Sequence, residues 1–293
     1  MKLQRRNFIR KSGILLSAGW IAHPFFSFSS PAKNFTVGEI MDLFISQVPG
    51  GRKKETVDTL KSGSRDQQVS GIVTTMFATI TVIRKAIELN ANFIIAHEPT
   101  FYNHLDETEW LAEDPIYQFK RRLLEKNGIA VWRNHDYVHS LSKDGVLEGV
   151  IEQLGWGEYY QKKSIVMLPE TSLGEMISHV KEKMNIPAIR YVGDLSQKVS
   201  KILLLPGAIG GKRQIELLMQ EKPDVLVCGE SPEWETPEYV RNANEMGEKL
   251  GMVVLGHSAS EEAGSEYLAK WVKTNLIGMP VFHIPSGNSL SIK

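Results

Sequence analysis

Cysteine is almost absent. The chain of 293 residues holds one, Cys228, so no disulfide can form within it. Cys228 lies in the apolar run Val225-Leu226-Val227-Cys228 and reads as a buried strand thiol. No basic stripe marks a nucleic-acid binder. Basic and acidic residues balance at 34 each, yet five of the basic ones (Lys2, Arg5, Arg6, Arg10, Lys11) fall within residues 1–32, where no acidic residue occurs. The remainder holds 29 basic against 34 acidic residues, a net charge of −5. No apolar run is long enough for a membrane span; the stretch from Gly13 to Phe28 is interrupted by His23 and Pro24. Low-complexity tracts, short repeats and a long linker are missing as well, so the halves of the chain are expected to share an interface. The turn Gly207 to Gly211 lacks both the Walker Lys-Ser/Thr and the full dinucleotide fingerprint. It reads as a tight strand-to-helix turn, with a phosphate loop as the alternative.

What is present begins with an address. Arg5-Arg6-Asn7-Phe8-Ile9-Arg10 precedes the interrupted apolar stretch, and Ser30-Pro31-Ala32 offers small residues for cleavage. This is the layout of a bacterial twin-arginine export signal over residues 1–32. A basic amphipathic helix or a membrane anchor is the other reading. No cysteine follows to carry a lipid, so the expectation is a periplasmic protein with no stable membrane anchoring after signal removal.

Three short apolar runs then end in metal-ligand side chains. Asn92 to Ala96 leads into His97-Glu98-Pro99, Gly128 to Trp132 into His135 and His139, and Met252 to Gly256 into His257 with Glu261 four residues on. Such runs read as buried parallel strands. Ligand sites in open α/β sheets form where the carboxyl ends of strands meet, and imidazole with carboxylate suits zinc, iron or manganese. The reading is a metal site assembled from distant segments; scattered loop histidines would explain any one run alone. Adjacent strand residues point to opposite faces, so His97 and Glu98 reach one site only if the chain turns there. His257 and Glu261 share a face if the segment after Gly256 is helical.

Local patterns predict the rest. Phe35 to Phe44 reads as a helix with Thr36 as N-cap and Glu39 completing a capping box. Gly71 to Thr75 (strand), Thr81 to Leu89 (helix) and Pro115 to Lys126 (helix) follow, with Asn127-Gly128 as a left-handed stop. Ser164 to Leu168, Leu173 to Met184 and Ile189 to Val192 read as a small βαβ element. A strand over 201–205, a helix through 214–219 and a strand over 224–228 come next. The expected fold is α/β: two interlocked units, residues 36–160 and 161–293, with largely parallel sheets and a metal cleft at the strand carboxyl ends.

These motifs, in order and spacing, resemble the Nif-three-like dinuclear-metal hexameric proteins, a family also labelled GTP cyclohydrolase I type 2. The resemblance is carried by Gly71 to Tyr102, the 129–139 segment, Pro206 to Gly211, Val227-Cys228-Gly229-Glu230 and Gly256 to Glu261, and covers roughly residues 36–290. It implies two divalent metal ions in a cleft, held by His97, Glu98, His135, His139, His257 and Glu261, and a toroidal homohexamer. The chain departs from the pattern twice: the usual His-His-Pro is His97-Glu98-Pro99, and the usual His-x-x-x-Asp ends in His139.

Two functions fit. One is a metal-dependent hydrolase acting through a metal-bound hydroxide on a small nucleotide-like, phosphoester or cyclic amidine substrate, with Glu230 or Glu98 as proton acceptor. The other is a non-enzymatic assembly that stores, senses or delivers metal. Glu230 reads as a proton carrier, as an orienting residue behind a ligand histidine, or as part of an exposed acidic loop. His104 is expected at the surface or the cleft rim. Tyr102 and Trp132 read as core packing or as a pocket wall, and His179 and His283 as ordinary structural histidines.

Overall fold

The first helix starts where the sequence sets a cap. Thr36 Oγ1 accepts the Glu39 amide at 3.2 Å and the Glu39 carboxylate accepts the Thr36 amide at 2.8 Å, the reciprocal closure of a capping box. The computed structural model describes residues 34–291, so the expected signal at 1–32 lies outside the described residues. The chain runs α1 (Val37–Ile45), β1 (Leu60–Ser62), β2 (Ile72–Thr75), α2 (Ile80–Glu88), β3 (Phe93–Ala96), α3 (Pro115–Lys126), β4 (Ala130–Arg133), α4 (Asp136–His139) and α5 (Gly145–Leu154). It continues through β5 (Ile165–Ser172), α6 (Leu173–Lys183), β6 (Arg190–Val192), β7 (Lys198–Leu205), α7 (Gly211–Glu221), β8 (Val225–Cys228), α8 (Thr236–Glu245), β9 (Gly251–Val254), α9 (His257–Asn275) and β10 (Val281–His283). No helix among the described residues is long and apolar enough to cross a membrane.

Two five-stranded sheets result, ordered β1-β4-β3-β2-β10 and β5-β7-β8-β9-β6. Strands β4, β3, β2 and β10 pair in parallel, as do β7, β8 and β9. Their central strands are buried along their whole length, as expected of sheets covered on both faces. One face of the first sheet packs on α2 and α3 through Ile83, Ile94 and Leu124, the other on α1 and α9 through Phe44, Phe93 and Val272. The second sheet packs on α5 and α6 through Val150, Val180 and Val253, and on its other face meets Leu218 of α7 and Val240 of α8.

Helices α5 and α9 belong to both cores: Val146 and Val272 face the first, Val150 and Ala263 the second. Glycine permits their close crossing. A Cβ on Gly149 would stand 2.4 Å from Ala263 O, and one on Gly264 2.8 Å from Val146 Cα.

Two expectations are corrected. Residues 281–283 fall within the range expected for the second unit, but they form β10, which pairs with β2 in the first sheet, Val281 opposite Ile72; α9 carries the chain back across the molecule to reach it. The segment 164–192 is not a paired βαβ element. β5 and β6 lie at opposite edges of the second sheet, antiparallel to β7 and β9. A short apolar run carries no mark of strand direction, and an edge position accepts either.

Candidate metal centre

β3 ends at Ala96, and the next two amides break its alternation. His97 N donates to Thr75 O at 3.1 Å and Glu98 N to Met76 O at 2.9 Å. Side chains of a straight strand alternate between faces, and so do its ladder contacts; two consecutive amides aimed at one neighbour mark a turn. His97 and Glu98 therefore enter the same space, each 6% exposed. With Glu261, they bring one donor atom each to within 4.8 Å of one another.

Beyond β4, Asp58 shapes the second segment. Its buried carboxylate accepts the amides of His135, Asp136 and Tyr137 at 2.8, 3.0 and 2.7 Å, satisfying the orphan donors at the start of α4. His135 Nδ1 lies 3.0 Å from Asp136 Oδ1, and His139 Nδ1 lies 2.9 Å from Asp144 Oδ2. Asp144 also caps α5 through the amides of Val146 and Leu147. His97 Nδ1 faces Asn134 O at 3.4 Å. Carboxylate or carbonyl partners on one ring nitrogen fix the ring and present the other nitrogen. His97, His135 and His139 present theirs to a shared space, with donor atoms again within 4.8 Å.

The third segment arrives from the second sheet. Gly256, at φ +94°, turns β9 into α9, which begins at His257. One helical turn separates His257 from Glu261, and His257 Nε2 lies 3.0 Å from Glu261 Oε2. The same nitrogen is 3.4 Å from Glu98 Oε1, which stands 3.6 Å from His135 Nε2. Glu261 Oε2 is 3.5 Å from His97 Nε2, and its Oε1 is 3.9 Å from His139 Nε2. Two buried carboxylates are thus ringed by four imidazoles from both halves of the chain.

The turn after β7 makes room for this. Gly207 has φ +74°, and a Cβ there would sit 2.3 Å from Glu261 Oε1. Its amide donates to Ser260 Oγ at 2.9 Å. Gly207→Ala is expected to displace the Glu261 carboxylate, to weaken divalent-ion binding at least about tenfold and to lower stability by about 1–3 kcal/mol. Calorimetric titration with zinc and thermal unfolding would check both; a variant that binds zinc like the parent would refute the steric role.

The charges are strongly coupled. Burial opposes ionisation of Glu261, but the neighbouring imidazoles of His257 and His97 hold its carboxyl far below the usual range. Glu98, also resisted by burial, is lowered by His257, His97 and His135. Burial works against the His257 imidazolium too, yet Glu261 and Glu98 push it up to about 10. Burial, with the charge of His97, brings His135 down to about 4, leaving it neutral as a ligand must be.

Arg133, at the end of β4, was not anticipated from the sequence. Its guanidinium is wholly buried and donates to Glu98 Oε2 at 3.3 Å, to His97 O at 3.4 Å and to His104 O. Asp106 lies 3.8 Å from it and 3.1 Å from Lys61 Nζ. Arg133 fixes one oxygen of Glu98 and so turns the other toward the histidines. Asp58 and Asp144 were missed as well. An arginine closing an apolar strand was the one available signal, since burial requires a partner for it.

The remaining candidates fall into place around the cluster. Glu230 Oε2 is 3.7 Å from His257 Nδ1, with a side chain 53% exposed; it borders a groove with Lys212 and Glu235 rather than the cavity at the cluster. His104 is on the cavity rim. Trp132 is core, its Nε1 donating to Asp58 O, whereas Tyr102 is 53% exposed beside a second cavity. His179 bonds Leu154 O and His283 faces Thr74 O. Cys228 is buried in β8, and that burial pushes its thiol up to about 12.

Comparison with known proteins agrees with this architecture. A GTP cyclohydrolase 1 type 2 homolog of Clostridium acetobutylicum is 27% identical over 227 residues, spanning 71% of this chain and 79% of the relative. A Staphylococcus aureus hypothetical protein superposes with a TM-score of 0.72 at 18% identity, over 89% of this chain and 99% of that one. A Bacillus cereus protein related to NIF3 gives 0.69 at 20% identity, over the same shares. At such identities the two structures establish the fold alone. Residues 37–287 match the profile of Duf34/NIF3 (NGG1p interacting factor 3), and the chain belongs to that family.

Proposed function

We propose that this chain is an exported, homohexameric protein that binds two divalent ions, zinc, iron or manganese, and hydrolyses a small nucleotide-like or cyclic amidine substrate in the periplasm. One observation carries the metal reading. His97 Nε2 is buried without a hydrogen-bond partner among the described residues, facing Glu261 Oε2 at 3.5 Å, although an unmet buried polar atom is costly. A cation between them satisfies both, and the surrounding imidazoles and carboxylates are the donor set that borderline divalent metals take. The residues therefore fit the ions. His97, Glu98, His135, His139, His257 and Glu261 would hold them, and such ions lower the pKa of water and polarise a leaving oxygen.

The chain's own residues do the rest. Asp136 and Asp144 orient His135 and His139, Glu230 stands behind His257, and Arg133 fixes Glu98. Glu98 borders the cavity of about 400 Å³ at the cluster and is the candidate proton acceptor, in place of Glu230. Hydrolysis needs a coordination position open to solvent, whereas a storage site does not. In the cobalt-substituted protein, azide is expected to shift the visible absorption bands; bands that stay unmoved would favour the non-enzymatic reading over the hydrolase.

Export is supported by Arg5-Arg6 and the interrupted apolar stretch behind them, and the hexamer by the family resemblance. Replacing Arg5 and Arg6 by Lys is expected to abolish periplasmic accumulation, with unchanged accumulation counting against the route. A monomer in light scattering would sink the hexamer.

A further inference from the structure

A second cavity, of about 680 Å³, shares Glu98 and His104 with the cavity at the cluster and extends away from it to the start of α2. Its far end is short of negative charge and rich in unused donors. Lys120, only 5% exposed, reaches it from α3. Its Nζ donates to Thr100 O at 2.6 Å and lies 5.5 Å from the Tyr102 ring and 5.7 Å from the Phe101 ring. No carboxylate lies within ion-pair distance of it among the described residues, so this nearly buried ammonium has two N–H donors to spare. Burial brings it down to about 8, with the Asp106 charge acting the other way.

Thr100 adds a second, independent sign. It is 1% exposed, it lines the cavity, and its Oγ1 has no hydrogen-bond partner among the described residues. Ile80 and Thr81, which open α2, line the same cavity. Their amides have no acceptor within the helix, and the helix dipole there favours negative charge. Tyr102 holds φ +65° beside them, a conformation that a bulky residue keeps where its surroundings enforce it.

We propose that this end of the cavity is an oxyanion subsite that takes the phosphate of a small phosphate monoester, whose organic part reaches along the cavity to the histidine–glutamate cluster. Residues with three donor types, ammonium, hydroxyl and helix amides, line this cavity. A phosphate with three terminal oxygens answers them more completely than a carboxylate with two. The volume exceeds what phosphate alone needs and lies in the range of small-molecule sites, which is why an ester rather than the free ion is the fitting ligand. Capture of the anion is independent of bound metal; only its role as the substrate's anchor rests on the hydrolase reading.

The test is titration of the mature chain, treated with chelator, with inorganic phosphate and with phenyl phosphate, followed by phosphorus NMR line broadening. Saturable binding is expected, tighter for phenyl phosphate. It should weaken about tenfold or more in Lys120→Met and in Thr100→Val, as loss of a hydrogen bond to a charged group does. Thr100→Val keeps the shape of the side chain, so it stands as a check should Lys120→Met unfold. Binding that does not saturate, or that survives both substitutions unchanged, overturns the subsite. Elemental analysis of untreated samples separates the two readings: metal without Lys120-dependent phosphate binding removes the subsite alone, and phosphate binding without metal removes the metal reading alone.

Discussion

Elemental analysis of the purified protein is expected to find two divalent ions per chain, falling to one or none in Glu98→Ala and in His139→Ala. At these two positions the chain departs from the pattern of the family it resembles, a carboxylate standing for an imidazole and an imidazole for a carboxylate. Outright loss of a ligand would have left a small or apolar side chain at either place. Both side chains instead face the cluster. Glu98 Oε1 lies between His135 Nε2 and His257 Nε2, and His139 Nε2 faces Glu261 Oε1 with its Nδ1 against Asp144. The exchange redistributes charge without changing the number of donors. Uptake of metal must also displace the proton that Glu261 and Glu98 keep on His257 up to about pH 10, so affinity is expected to fall as pH falls. One ion in the parent, unaffected by either substitution, would mean that the exchanged residues are not ligands.

Arg133→Met should cost about 3–5 kcal/mol of stability in the metal-free protein, the scale for breaking a buried ion pair by removing one partner. The arginine is 0% exposed and holds Glu98 and the backbone carbonyls of His97 and His104. Methionine fills much of the space but supplies no donor, leaving the two carbonyls unmet and Glu98 with imidazole partners alone. Lys replaces the charge without the fork that spans these acceptors, so Arg133→Lys is expected to recover only part of the loss. Urea unfolding of the metal-free proteins measures both effects. A decrease below about 1 kcal/mol for Arg133→Met, the level of a surface ion pair, would mean that this network does not hold the cluster.

Much of the candidate site was legible in the sequence because its donor side chains follow strands at once. A buried strand announces itself by a short apolar run, and the first polar residues beyond it lie at the sheet's carboxyl edge; His97, His135 and His257 were found in this way. The spacing of His257 and Glu261 is likewise local, one helical turn, and so is the Thr36–Glu39 capping box. Arg133, Asp58 and Asp144 were not legible as parts of the site. Each acts on a residue whose position relative to it depends on the folded backbone: Asp58 caps a turn 77 residues further on, and nothing near Asp58 in the chain signals that duty.

The sequence by itself determined the α/β class, most of the helices and strands, and the strand ends at which donor side chains stand. These follow from hydrophobic period, capping and turn chemistry, all of which act between residues a few positions apart. Only the tertiary structure decided that β10 joins the first sheet beside β2, that β5 and β6 are antiparallel edges, and that α5 and α9 cross at Gly149 and Gly264. It also decided that the chain turns at His97 and Glu98, and that Gly207 leaves the space Glu261 occupies. Strand partners are chosen by burial and closure across the whole chain, and a cavity exists only once distant segments have packed around it.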